Sequence, residues 1–430
     1  MNITIKQAAR LDGAVTVPGD KSISHRAAIF GALAEGTTRI ENFLRAGDTG
    51  STLACLKQLG AQIEDDGKII SVTGGALKAE GQTLDCGNSG TSMRLLMGVL
   101  AGREGGSTLV GDASLSKRPM DRVRIPLEKM GARISGVGEK NTPPISIRGG
   151  NLRGIHYDSP VASAQVKSAI LLAGLGAEGK TSVTEPSRSR DHTEQMLRGF
   201  GAQISCDGWR VEISPGQLKA TDVRVPGDVS SAAFFWCAAA LRSGWKARVN
   251  GVGLNPTRSG VLDVLREMGA QIEIENQIES GGELRGDVTV IGNTLRATRI
   301  AGELIPRLID ELPVLALVAT QARGETVIAD AHELRVKESD RIAIISAELR
   351  KLGAQIEERE DGMIISGETQ LKGAHVTSPH GDHRIAMTLM VAGLIAEGET
   401  VIENADAIAS SFPNFPSLLE SLRNQEFPAK

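Results

Sequence analysis

The amino-acid sequence predicts an α/β protein of two domains, built from six βαβαββ units with three per domain. Three observations lead there. The string Gly-Ala-x-Ile occurs five times, starting at Gly60, Gly131, Gly201, Gly269 and Gly353, at spacings of 71, 70, 68 and 84 residues. A strongly apolar helical segment recurs six times, starting at His25, Ser92, Val166, Ala232, Glu311 and Arg384. The tetrapeptide Val-Pro-Gly-Asp stands at both 17–20 and 225–228. A repeat of this period means that one supersecondary unit is stacked on copies of itself.

Each element of the unit has its own cause. Before every Gly-Ala-x-Ile lies an amphipathic stretch, such as Leu53–Leu59 or Val261–Met268, with leucine or methionine at helical spacing. That pattern predicts a half-exposed helix. The glycine ends it, because a positive φ costs glycine little, and Ala-x-Ile starts a strand. The six apolar segments lack a polar face and should be buried helices. Between the two helix types, stretches such as Ile145–Tyr157 and Val211–Val225 read as paired strands across a polar turn.

Six buried helices but five junctions leave one unit incomplete. Ile3–Asp20 matches Val211–Asp228 in pattern, so the N-terminal strands are expected to close the last unit, whose final helix is Ser417–Asn424. Both termini then share a domain. The expected domains are 1–19 with 229–430, and 20–228, joined by a two-strand hinge near 19–20 and 227–228 over a cleft that closes.

Composition narrows the function. Of 430 residues 50 are glycine, about 12% against an average near 7%, while aromatics are 3% with a single tyrosine, Tyr157. Single-stranded nucleic acid is held on aromatic platforms, and a net charge of −4 leaves no basic footprint; nucleic acid is excluded. Four scattered cysteines form no CxxC pair, which fits a reducing compartment. The first twenty residues lack an apolar signal-peptide core, and no apolar run reaches the ~18 residues of a membrane span. A cytoplasmic protein is expected.

The chemistry should lie at the beginnings of the buried helices, at 18–26, 85–94, 158–167, 226–231, 301–311 and 378–384. A helix N-terminus offers unpaired N–H groups and partial positive charge to anions. Lys21, Arg26, Arg94 and Arg384 flank these junctions, and Arg118, Lys337 and Arg341 come from nearby loops. A solvated surface explains any one such charge. It does not explain why Lys21-Ser22 in one unit is Val229-Ser230 in its counterpart. The pattern points to a site gathering several phosphates or carboxylates, with Asp310, Glu338, His383 and Lys21 as acid–base candidates.

Two other signals fail their context. Gly174–Thr181 fits the G-x-x-x-x-G-K-[ST] pattern, but a nucleotide-binding loop follows a strand and opens a helix, and this one does the reverse. His380 and His383 in His-Gly-Asp-His have no second cluster at metal-ligand spacing; no metal is expected.

The motifs Gly19–Ser22, Ser24–Arg26, Gly87–Leu95, Ser163–Lys167, Arg190–Glu194, Asn255–Arg258, Ile309–Pro313, Arg335–Arg341 and Asp382–Arg384 resemble, in order, those of the 5-enolpyruvylshikimate-3-phosphate synthase family, bacterial class II branch. The resemblance implies the enolpyruvyl transferase fold, a two-domain inside-out α/β barrel. It also implies transfer of the enolpyruvyl group of phosphoenolpyruvate to the 5-hydroxyl of shikimate 3-phosphate, releasing phosphate, with no cofactor, by an expected monomer. On the family pattern Lys21, Ser22, Arg26, Ser163, Gln165, Arg190 and Lys337 bind shikimate 3-phosphate, and Gly90, Arg118, Arg341 and Arg384 hold phosphoenolpyruvate. Asp310 takes the hydroxyl proton, while Glu338 and Lys21 are both candidates for proton traffic at the methylene carbon. Ala164, Glu333 and Ser410 depart from the class I pattern, so those contacts are not carried over. Alanine marks the position of Gly90 in glyphosate-tolerant class II members, so tolerance from this position is expected to be absent. The rival readings are a UDP-N-acetylglucosamine enolpyruvyl transferase and a non-catalytic repeat scaffold. The former usually has asparagine where Ser22 stands, and a cysteine in the loop that here reads Asp112–Met120 without one.

Overall fold

In the computed structural model, residues 1–75 and 77–424 are described, apart from the side chains of His380, Ser410 and Asn424. The chain divides into two compact units. Unit 1 holds Met1–Pro18, Gly227–Ile278 and Arg285–Lys430, and unit 2 holds Gly19–Pro226 and Glu279–Leu284.

Three apolar helices form the middle of each unit. In unit 2 they are α1 (Lys21–Leu33), α2 (Gly90–Ala101) and α3 (Ala164–Gly174). In unit 1 they are α4 (Val229–Ala240), α5 (Leu312–Ala319) and α6 (His383–Gly393). Every residue of α4 and α5 is buried, as expected for helices with no polar stripe. Helices α2 and α3 approach backbone to backbone, since a Cβ at Gly98 would fall 2.3 Å from the carbonyl oxygen of Ala169.

Sheets surround each trio. Their strands alternate buried and exposed residues, as in Thr142–Gly149, so one face packs inward and the other meets water. Five sheets have four strands in a common order: an entry strand parallel to the central strand, then an antiparallel hairpin. All five glycines of the Gly-Ala-x-Ile junctions have positive φ, between 81° and 116°. A sixth sheet has three strands: Ile3–Lys6 pairs antiparallel with Glu399–Glu403, which pairs parallel with His375–Thr377, and a seventh is only the parallel pair Ala34–Glu35 with Leu218–Lys219. Asp12–Val15 supplies the entry strand beside Lys246–Gly253, as Val223–Arg224 does beside Thr37–Glu41. In each unit a sheet is thus completed by a distant piece of the same unit. Gly174–Thr181 joins α3 to the strand Thr181–Thr184, a helix-to-strand turn.

Two features go beyond the repeat. The junction before α5 is helical, a turn at Gly302–Leu304 and a short helix Ile305–Leu308. Pro306 and Pro313 each sit in the first turn of a helix, where the missing N–H has no partner to lose. The hairpin Gln271–Ser280 and Glu283–Ile291 is far longer than its counterparts, and its tip, 279–284, belongs to unit 2. Among the described residues no helix is long and apolar enough to cross a membrane.

Candidate active site

The residues singled out by the sequence fall into two sets, one in each unit. In unit 2, Asp20 caps α1 by accepting from the Ile23 N–H at 2.9 Å. Lys21 follows, its side chain 54% exposed and its Nζ 3.1 Å from Asp48. Such an exposed pair is weak, so Lys21 is available to a stronger anion. The Ser22 carbonyl accepts from Arg26 Nη1 at 2.9 Å. Arg26 itself is buried, donating also to Thr193 and Ser168 at 2.7 and 2.8 Å. Arg190 lies half-buried within electrostatic range of it.

At the start of α2 the Ser89 hydroxyl accepts from the Ser92 N–H at 3.1 Å. Gly90 is the first helical residue, and a Cβ there would stand 3.2 Å from Arg94 Nη1 and 3.4 Å from Arg118 Nη1. Two guanidinium groups therefore crowd the amide end of α2. Gln165 accepts from Arg94 at 2.6 Å, and Asn88 accepts from Arg118 at 2.6 Å, fixing both. Burial, with Arg122 and Arg118 nearby, pushes Arg94 down to about 10. An anion at this place would relieve that repulsion while meeting donors already oriented.

Helix α3 begins at Ser163, whose hydroxyl caps Val166 at 3.5 Å and whose N–H donates to Glu185 at 2.8 Å. Lys167, 3% exposed, lies 2.7 Å from both Glu185 and Glu194. Burial opposes its charge, but the two carboxylates raise its pKa overall. Lys167 is thus a pin inside the unit, with Glu185 a partner that no sequence motif signalled. His192 and Glu283, both buried, meet at 2.7 Å and fasten the hairpin tip.

A buried chain links α1 to the cap of α2: His25 Nδ1 to Thr52 Oγ1 at 2.7 Å, Thr52 to Ser92 at 2.6 Å, and Ser92 to Ser89 at 2.7 Å. Burial, then Lys21 and Arg26, push His25 down to about 3 against the opposing pull of Asp48 and Asp20. Below its ordinary value of 6.5 an unfolded chain protonates this histidine while the folded one does not. Its stability contribution is therefore full above pH 6.5 and declines as pH falls toward 3. The slope is about 1.4 kcal/mol per pH unit within that window. Urea midpoints measured between pH 7 and 5 should fall less in His25→Asn than in the parent; parallel lines would refute the assignment.

In unit 1 the organising group is Arg341, whose side chain is 1% exposed. Its guanidinium lies 2.8 Å from Asp382, 3.3 Å from Asp310 and 2.7 Å from Glu338. Asp382 caps α6 by accepting from the Arg384 N–H at 3.1 Å and also accepts from Ser339 at 2.8 Å. The Asp310 carbonyl accepts from Arg384 Nη1 at 3.4 Å. Desolvation pushes Glu338 up, but Arg341, a backbone N–H and Arg384 outweigh it and hold it below the usual carboxylate value. Burial and Arg384 push His383 down to about 4, so it is neutral at pH 7. Lys337 pairs with Glu333 at 2.9 Å. The start of α4 differs. There Asn255–Arg258 turns inward, with Arg258 donating to Ser230 at 2.6 Å and lying 3.5 Å from Asp228.

Five of the sequence-selected residues are thus brought together in unit 1: Asp310, Glu338, Arg341, His383 and Arg384. Gly90, Arg118 and Gln165 converge in unit 2 with Arg94. Lys21, Ser22 and Arg26 lie along α1, Ser163 caps α3, and Lys337 sits beside Glu338.

Such a fold, with guanidinium groups and carboxylates at the starts of its central helices, defines an α/β protein equipped to handle small polyanions. Its relatives sharpen this. The family model for EPSP synthase (3-phosphoshikimate 1-carboxyvinyltransferase) matches residues 5–419. A 3-phosphoshikimate 1-carboxyvinyltransferase of Bacillus thuringiensis subsp. konkukian is 54% identical over 416 residues, covering 96% of this chain and 97% of its own. That of Bacillus pumilus is 51% identical over 422 residues, covering 97% and 99%. The solved EPSP synthase of Acinetobacter baumannii superposes with a TM-score of 0.92 at 45% identity, covering 98% of both chains. The chain belongs to the EPSP synthase family.

Proposed function

We propose that the two residue sets serve one reaction and divide its labour. The chain is an enzyme of the shikimate pathway to aromatic amino acids, a transferase moving the enolpyruvyl group of phosphoenolpyruvate to the 5-hydroxyl of shikimate 3-phosphate with release of phosphate. The observation that carries the residue roles is the crowding of Arg94 and Arg118 about the amide of Gly90. Together with Arg384 these form the phosphoenolpyruvate-binding groups. Arg341 supports them and offers its guanidinium to the same substrate. Lys21, Ser22, Ser163, Gln165, Arg190 and Lys337 bind shikimate 3-phosphate, and buried Arg26 anchors Ser22 through its carbonyl. Asp310 takes the 5-hydroxyl proton. Glu338 and Lys21 handle the proton that arrives at and leaves the methylene carbon, and neutral His383 is a further proton carrier.

The same reading makes the chain a class II member, cytoplasmic and monomeric, and keeps the hinge near 19–20 and 227–228. Ala164, the departure from the class I second serine, supports the subclass. Phosphate release from phosphoenolpyruvate with either acceptor tests the function. Release with shikimate 3-phosphate alone is expected; release only with UDP-N-acetylglucosamine selects the rival transferase, and release with neither sinks the enzyme reading.

Gly90 allows a finer check. In Gly90→Ala the new methyl would press the guanidinium ends of Arg94 and Arg118, 3.2 and 3.4 Å away and held by Gln165 and Asn88. A several-fold rise in KM for phosphoenolpyruvate is expected, with a larger rise in the glyphosate concentration needed for half-inhibition. A parent enzyme that already needs millimolar-range glyphosate would show that other positions set the response.

A further inference from the structure

Helices α1–α3 begin at the residues just described, and a cavity of about 250 Å³ lies at their other ends. Its apolar walls come from Leu33, Val99, Leu172, Leu175 and Leu218, and its one charged group is Arg103. Helix α2 runs twelve residues from Gly90 to Ala101, so about 18 Å of helix separates this cavity from the Gly90 amide. The substrates' cations are not shared with it.

Arg103 is the unusual member. Burial pushes its pKa down, and no charged neighbour offsets that push. Among the described residues its guanidinium has no hydrogen bond and no ion pair. The helix ends do not claim it either. Their carbonyls are taken by other donors: Gly98 by the Gly102 N–H at 3.3 Å, Leu100 by the Arg103 N–H at 3.2 Å, Ala173 by the Gly176 N–H at 3.1 Å, and Leu33 by the Gln217 side chain at 2.9 Å. A half-buried cation beside four leucines is stabilised best by a carboxylate that brings its own apolar body. By liquid volume the cavity equals about eight waters, which sets the ligand's size at about eight non-hydrogen atoms.

We propose that this cavity binds a small aliphatic monocarboxylate, its carboxylate paired with Arg103 and its alkyl chain laid against Leu33, Leu172, Leu175 and Leu218. Hexanoate, hexan-1-ol and hexylamine are the probes, titrated calorimetrically into the full chain. Saturating shikimate 3-phosphate and inorganic phosphate occupy the cation clusters at the opposite helix ends. Hexanoate should bind, hexan-1-ol about ten-fold more weakly or worse, and hexylamine not at all. Arg103→Gln should weaken hexanoate about ten-fold or more while leaving hexan-1-ol unchanged. Gly216→Leu is the second variant: Gly216 lines the cavity and a Cβ there meets nothing within 4 Å, so the larger side chain adds bulk at the cavity wall without displacing the fold. It should abolish binding. Both variants should keep parental turnover, which shows that they are folded. The proposal is overturned if the parent fails to bind hexanoate, or if hexylamine binds as well. It is equally overturned if both variants bind hexanoate like the parent, or if the phosphates displace it.

Discussion

Asp310→Ala is expected to lower turnover by about 10²–10⁴-fold, the range for losing a positioned general base, while changing the KM for phosphoenolpyruvate only several-fold. The split follows from the geometry. The Asp310 side chain is 17% exposed and stands at the edge of the Arg341 cluster, while its carbonyl, which the substitution keeps, receives Arg384. The alanine variant therefore removes the proposed proton acceptor but leaves Arg384 its backbone partner. Arg341 also keeps two carboxylates, Asp382 and Glu338, so the cluster remains charge-balanced. Steady-state kinetics in both substrates reads the outcome directly. Equal losses in kcat and in phosphoenolpyruvate binding would assign Asp310 to positioning Arg341 instead.

The largest stability effect is expected at Lys167, a buried lysine held between two carboxylates. Lys167→Met conserves length and apolar stem but leaves Glu185 and Glu194, 3% and 2% exposed, without their shared cation. Breaking a buried pair from one side costs about 3–5 kcal/mol, because the orphaned carboxylates must stay charged in a dry place or take up a proton. Part of the loss should return as pH falls and the carboxylates protonate. A lower urea midpoint at pH 7.5 that recovers partly near pH 5.5 is the expected signature. A midpoint within experimental error of the parent would mean that water reaches the two glutamates.

Much of this architecture was legible because the fold repeats. Each Gly-Ala-x-Ile marks a place where a helix must stop at positive φ and a strand must start, and the φ values of Gly60, Gly131, Gly201, Gly269 and Gly353 supply that reason. The one irregular interval, 84 residues where the others are 68–71, holds both the long hairpin and the helical lead into α5, and its length alone does not tell them apart. What no periodicity could report was that its tip folds with unit 2. That rests on contacts distant in sequence, such as His192 with Glu283, 91 residues apart, and the Arg224 N–H with the Ser280 hydroxyl. The helical lead into α5 was hidden for a different reason. Pro306 opens a helix of only four residues, too short to show a helical period in the sequence.

The site divides in the same way. Lys21, Gly90 and Ser163 stand at helix beginnings; local pattern marked those junctions and Lys21, while Gly90 and Ser163 were singled out by the family resemblance. Side-chain fate is a tertiary matter. Nothing in Arg335–Arg341 tells that Arg341 is wrapped by three carboxylates while Lys337 is held by Glu333. Likewise the contact of Arg94 with Gln165 joins residues 71 positions apart. Glu185 carried no signal, since an isolated glutamate at a strand end is ordinarily solvated.

The closure of unit 1 by its first strand also sets a timetable. Ile3 pairs with Ile402 and Lys6 with Glu399, so Ile3–Lys6 leaves the ribosome long before its partner exists. At about 5–20 residues per second, the wait is roughly 20–80 s. During that interval the strand is a free edge of the kind that recruits other chains. Its own make-up blunts the hazard: four residues long, with alternate positions exposed and Lys6 at its end. A nascent chain can then carry this strand unpaired, and the last sheet to be synthesised is the one that finally takes it in.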